Sequence, residues 1–285
     1  MRIMWKLEKP NLDEALGDIE RIIEQSNGAI TQTDASSIIY AYRIYDRNGG
    51  KITSADNMRI SQTVQNKLYN MYDQKTYEKQ SLHYLRKELF KLADICPMCG
   101  VGEPSQLDHQ MPRRDYKSLS LCRLNLVPLC GVCNNKKKDK NPNDFIHPYY
   151  AKFPKDAVFL VADIHINERT HKMSWIYKIE TNATGISIEL SEQINKQVSA
   201  IKLIRRLQKA SNNYLADLFC KCNFFSDESL KSFIQMEMNK AIYRYGRNDW
   251  RSTLLCGLFS SPKFKKEEAN EFAVHITPVN RGVNV

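Results

Sequence analysis

The chain lacks the marks of a secreted or membrane-embedded protein. No apolar stretch behind a basic region opens it, so no signal peptide is expected. Its longest apolar run, Ala157 to Ala162, falls far short of a membrane span. A cytoplasmic location without membrane contact is therefore expected. No internal repeat and no low-complexity tract interrupts it, and acidic residues are in short supply. There are 32 Asp and Glu against 42 Lys and Arg, a net charge of +10 and a pI near 9.1. Such a balance favours polyanionic partners, because lysine and arginine displace condensed counterions from phosphates. The 285 residues are 42% hydrophobic, enough for a real core and for one large or two modest domains.

Eight cysteines are present. Without a secretion signal, disulfides are an unfavourable use for them and metal binding a better one. Cys96-x-x-Cys99 and Cys130-x-x-Cys133 have the spacing by which two thiolates of one tight turn reach the same ion. Pro97, Gly100 and Gly131 suit such knuckles, and the pairs are expected to hold one structural Zn²⁺. Cys122, Cys220, Cys222 and Cys256 lack this spacing, and Cys220 and Cys222 are expected to pack in a core.

Between the pairs lies Asp108-His109, and directly after Cys133 come Asn134 and Asn135. A carboxylate and an amide oxygen are hard ligands suited to Mg²⁺ or a similar cation, and they leave most of its coordination to water and phosphate. A histidine titrating near neutrality can take a proton from water. Consecutive strand residues point to opposite faces, so Asp108 and His109 can share a site only at a bulge or a strand end. From Asp108 to Lys140 the chain carries eight Lys or Arg against three Asp, half of its whole positive excess in 33 residues. Arg113, Arg114, Lys117, Lys136, Lys137 and Lys138 are the expected contacts to a nucleic-acid backbone.

The series Cys-x-x-Cys, Asp-His-x-x-Pro and Asn-Leu-x-Pro-Leu-Cys-x-x-Cys-Asn resembles the HNH, or ββα-metal, endonuclease superfamily. Within it, the series is most similar to the four-cysteine branch of McrA-like restriction nucleases and phage endonuclease VII. The resemblance covers about 45 residues. It implies that His109 is the general base, that Asp108 and Asn134 hold a catalytic Mg²⁺ or Mn²⁺, and that Asn125 ties the loop between two strands and holds His109 in place. Asparagine at position 134, where a histidine could stand, implies a Mg²⁺-type site. One departure is plain: many relatives carry glycine in the loop after Asp-His-x-x-Pro, whereas Arg113 to Leu124 has none and is strongly basic.

The expected fold is α+β, with mostly helical flanks around a zinc-stabilised ββα-metal module and a small β-hairpin or sheet after it. Three regions are expected: a helical one over 1–92, the module over 93–145 and an α+β one over 146–285. Helices are expected over Leu12–Ile23, over Asp34–Tyr45 with Thr33 as cap, over Ser61–Tyr72 and over Tyr77–Leu92. Asn141 to Asp144 reads as a turn. Strands are expected over Ala157–Ile166 and Met173–Ile179, with a third over Ile186–Leu190. Helices then run from Ser191 to about Leu207, from Ser226 to about Tyr243 and over Trp250–Phe259, and the tail from Asn280 is expected to fray. The functional expectation is a DNA endonuclease, as a restriction or anti-phage defence effector working with a partner such as an ATPase. Two alternatives stand beside it: a zinc-ribbon nucleic-acid binding protein without catalysis, and a nuclease acting on RNA.

Overall fold

The computed structural model describes residues 5–138, 140–182, 185–222 and 225–276, which form an α+β fold of two compact units. One comprises residues 5–152 and 192–201, the other residues 153–191 and 202–276. The expected fraying from Asn280 lies outside the described residues.

The first unit opens with five helices: α1 (Leu12–Glu24), α2 (Gln32–Arg47), the short α3 (Ser54–Asn57), α4 (Gln62–Lys75) and α5 (His83–Phe90). Helix α2 begins at Gln32, two residues before the expected start at Asp34. Thr31 caps it, accepting from the Asp34 backbone while the Asp34 carboxylate accepts from the Thr31 backbone. An acid three residues after a hydroxyl closes both bonds at once, and of Thr31 and Thr33 only Thr31 has one so placed. Helix α5 is shorter than expected, because the chain leaves α4 through a loop in which Lys79 takes a positive φ of 66° and Leu82 N–H returns to the Lys75 carbonyl.

Two short strands and a helix follow: β1 (Gln106–His109), β2 (Leu126–Leu129) and α6 (Gly131–Lys137). The strands pair antiparallel, Gln106 opposite Leu129 and His109 opposite Leu126. Leu107, Leu119, Leu121, Leu124 and Leu126 enter the same apolar core as Ile19, Ile38, Tyr42, Leu68 and Leu85. The expected regions 1–92 and 93–145 thus share one core. Arg123 pins the junction. Its buried guanidinium forks onto Asp18 of α1 at 2.7 and 2.8 Å and reaches Glu14 and Glu88 at 2.8 and 3.1 Å.

In the second unit, β3 (Leu160–Asn167) and β4 (Lys172–Ile179) form an antiparallel hairpin, Leu160 opposite Ile179. The expected third strand is instead the start of α7 (Ile188–Ala200), whose residues from 192 onward belong to the first unit: Ser187 Oγ accepts from Leu190 N–H, so the helix is capped at 187 rather than at Ser191. This helix also ends early. Lys202 adopts a left-handed conformation, φ 51° and ψ 48°, and α8 (Leu203–Phe219) starts afresh. Next come α9 (Asp227–Tyr245), α10 (Trp250–Ser260) and α11 (Lys266–Ile276). Helix α10 crosses the hairpin so closely that a Cβ at Gly257 would meet the Ala162 carbonyl at 2.5 Å. Of the Cys220/Cys222 pair, Cys222 is buried as expected and Cys220 is exposed. No helix among the described residues is long and apolar enough to cross a membrane.

Candidate metal centre and active site

The first knuckle is a tight turn. Gly100 N–H donates to the Cys96 carbonyl at 2.9 Å, and Gly100 sits at φ 64°, where a side chain would be strained. The second knuckle is the start of α6, with Cys130 as its N-cap and Cys133 in its first turn. Their four sulfur atoms lie within 4.8 Å of one another, and Cys99 and Cys130 Sγ are 3.8 Å apart. Zinc–sulfur bonds of about 2.3 Å require a tetrahedral edge of about 3.8 Å, the Cys99–Cys130 separation, so the donor set suits Zn²⁺.

The four cysteines join the 96–100 turn to the start of α6, and a cleft of about 530 Å³ is lined by residues of β1 and α6. Asp108, His109 and Asn134 all line it. His109 is the last residue of β1, so the strand-end condition for two adjacent side chains to share a site is met. Its Nε2 lies 2.9 Å from the Ser120 carbonyl. A carbonyl can only accept, so Nε2 carries the proton and Nδ1 the lone pair. Burial pushes the imidazole pKa down to about 3, with the Ser120 bond partly opposing it. The ring is therefore neutral at physiological pH, but it titrates well below the near-neutral range expected from the sequence, because burial disfavours the imidazolium. Tyr72 of α4 packs edge-on against it, centroids 4.5 Å apart.

Asp108 is buried, and burial raises its pKa while Lys137 pulls it back. Lys137 Nζ lies 2.8 Å from Asp108 Oδ2, an ion pair that leaves this oxygen without a well-directed hydrogen bond. Asn134 Nδ2 donates to Gln106 Oε1 at 2.7 Å, which leaves Oδ1 as its ligand atom. Two oxygen donors on one cleft wall suit a hard divalent cation whose other positions are filled by water and phosphate.

Asn125 is fully buried and does not reach the cleft. Its Oδ1 accepts from Met111 N–H at 2.8 Å and from the Tyr45 hydroxyl at 3.0 Å, while Nδ2 donates to the carbonyls of Met111 and Leu119. It thereby clamps the two ends of the glycine-free loop that carries Ser120, the partner of His109. Tyr45 extends the network to His147, whose Nε2 is 2.8 Å from the same hydroxyl.

The basic residues divide into different roles. Arg113, Arg114 and Lys138 line the cleft, Arg113 stacking over Tyr69 at 4.2 Å and pairing with Asp73 at 3.0 Å. Lys117 is tied to Asn66 at 2.8 Å, and Lys136 is half-buried on α6; neither lines the cleft. Lys137 corrects an expectation. It is wholly buried, donating to the His109 and Gln110 carbonyls at 2.9 and 3.3 Å as well as pairing with Asp108, so it cannot be a surface contact to a phosphate. Helix phase accounts for this: Lys137 is four residues after Cys133 and shares its inward face. Tyr72, Tyr77 and Arg86 also line the cleft, and no motif in the sequence marks them.

Comparison with known proteins bears on this geometry directly. Residues 96–140 match the HNH endonuclease family model. They form the ββα arrangement and four-cysteine cage of a zinc-binding HNH module. The chain is also similar to protein ea31 of Escherichia phage lambda, 27% identical over 170 residues, an alignment covering 49% of this chain. The match spans 57% of the phage protein's length. No solved structure matches the chain. The HNH module implies a nucleic-acid substrate.

Proposed function

We propose that the chain is a metal-dependent DNA endonuclease in which His109 is the general base. The observation that carries this reading is the imidazole itself: neutral, with its proton fixed on Nε2, and set in one cleft with two hard oxygen donors. Asp108 and Asn134 would hold Mg²⁺ or Mn²⁺, which supplies positive charge to a phosphate oxygen as charge builds in the transition state. His109 Nδ1 accepts a proton from the attacking water. Water oxygen bonds to phosphorus, the bond to the 3′ oxygen breaks, that oxygen takes a proton from solvent water, and the products are a 5′-phosphate and a 3′-hydroxyl. Asn125 positions His109 through the loop that carries Ser120, and Arg113, Arg114 and Lys138 meet the phosphates on either side.

The setting that goes with this reading is a restriction or anti-phage defence effector working with a partner such as an ATPase. What supports it is the second unit, which contributes none of the residues lining the cleft and is available for target choice or partner binding. To test the reading, the zinc-loaded chain is incubated with supercoiled plasmid, and in parallel with RNA, in Mg²⁺ or Mn²⁺. Nicked plasmid with 5′-phosphate ends is expected. Cleavage of RNA alone would move the substrate to RNA, and cleavage of neither would leave a zinc-ribbon binding protein.

A further inference from the structure

A buried cation lines the cleft. Arg86 of α5 is 9% exposed, yet no carboxylate pairs with it among the described residues. Its guanidinium lies over the Tyr77 ring at 4.5 Å and the Phe90 ring at 5.8 Å and donates to the Tyr72 hydroxyl at 3.3 Å. Buried cations are ordinarily compensated by an anion. Arg86 lines the same cleft as His109, so an anion has a route to it. Tyr77, the ring beneath the guanidinium, stays 49% exposed at the cleft. A cation held on an exposed aromatic ring beside a hydrolytic site matches a nucleotide unit, phosphate on the cation and base on the ring. In an intact duplex both faces of each base are taken by neighbouring bases, so a ring of this kind can stack only on a base outside the helix.

We propose that Arg86 and Tyr77 form a subsite for an unpaired nucleotide next to the scissile phosphate, so that the favoured substrate is a DNA strand leaving a duplex, as at a flap or branch. This rests on the nuclease reading above for the cut itself, but not for the binding preference. Binding is measured by fluorescence anisotropy on the full chain without added Mg²⁺, using a flapped DNA and a fully paired duplex of matched sequence. Tighter binding to the flapped DNA is expected. Tyr77→Ala weakens that binding by at least about fivefold, the lower end of one lost base stack, and Tyr77→Phe restores it. Arg86→Met weakens it as well, with zinc content and circular dichroism reporting whether that variant is folded. Equal affinity for the two DNAs, or equal losses in Tyr77→Phe and Tyr77→Ala, overturns the proposal. With Mg²⁺ added, cutting of flap and duplex at one rate overturns it while sparing the nuclease reading. Preferential flap binding without any cutting does the reverse.

Discussion

His109 and Lys137 show how far single residues can be read from a sequence. That Asp108 and His109 share one cleft was legible, because a hard ligand beside a base, set between two metal knuckles, is a distinctive pattern. Lys137 was not, because in a run of three lysines composition cannot say which one faces inward. Its helical distance from Cys133 was the available signal, once the cysteines were taken as ligands. Tyr72, Tyr77 and Arg86 carried no signal at all, since they reach the cleft from helices and a loop remote in sequence. Substituting Lys137→Ala leaves Asp108 buried and unpaired and is expected to cost about 3–5 kcal/mol in urea denaturation. Lys136→Ala, one residue away and partly exposed, should stay within about 0.5 kcal/mol. Equal effects from the two would contradict the buried ion pair. The imidazoles of His109 and His147 are both pushed down to about 3 by burial, from an ordinary 6.5. Between those values the unfolded chain binds protons that the folded chain refuses. Stability is thus complete above about pH 6.5 and falls as pH drops through that window. The melting temperature should decline from pH 7 to pH 5, and less steeply in His147→Gln; a flat profile would contradict this.

Secondary structure was legible where local chemistry decides it. Helices α1, α4, α9 and α10 and the β3–β4 hairpin follow apolar spacing and caps such as Ser61 and Ser226. It was illegible where two local signals compete. Ile186 to Leu190 has strand composition, but Ser187 caps a helix there. The left-handed turn at Lys202 falls on a residue that does not announce one. Strands β1 and β2, four residues each, are too short to persist unaided; Lys137 and Asn134 of α6 bond to β1, and a zinc-filled cysteine cluster is expected to add to that hold. Because Leu107 and Leu126 also complete the core of the N-terminal helices, zinc removal should loosen more than the HNH module. Chelation is expected to expose sites in both 96–140 and 12–90 to limited proteolysis, with zinc release tracking the loss of helical signal. A chelated chain still resistant over 12–90 would contradict the shared core.

Across the whole molecule, the sequence declared the α+β class and the basic balance but not the division into two units. That division follows from which apolar faces meet, and the turn at Lys202 places one of its boundaries. Nor does net charge convert directly into nucleic-acid contacts. Arg123 and Lys137 use their charge inside the fold, while Arg113, Arg114 and Lys138 present theirs at the cleft. What remains is a cleft organised around one neutral imidazole at a strand end. The direct measurement is plasmid cleavage in Mg²⁺ or Mn²⁺ by the unaltered chain and by His109→Ala, with bound zinc quantified in both. Cleavage by the first, none by the second and equal zinc in each is the expected result. Undiminished cleavage by His109→Ala at equal zinc would contradict the assignment of His109 as the base.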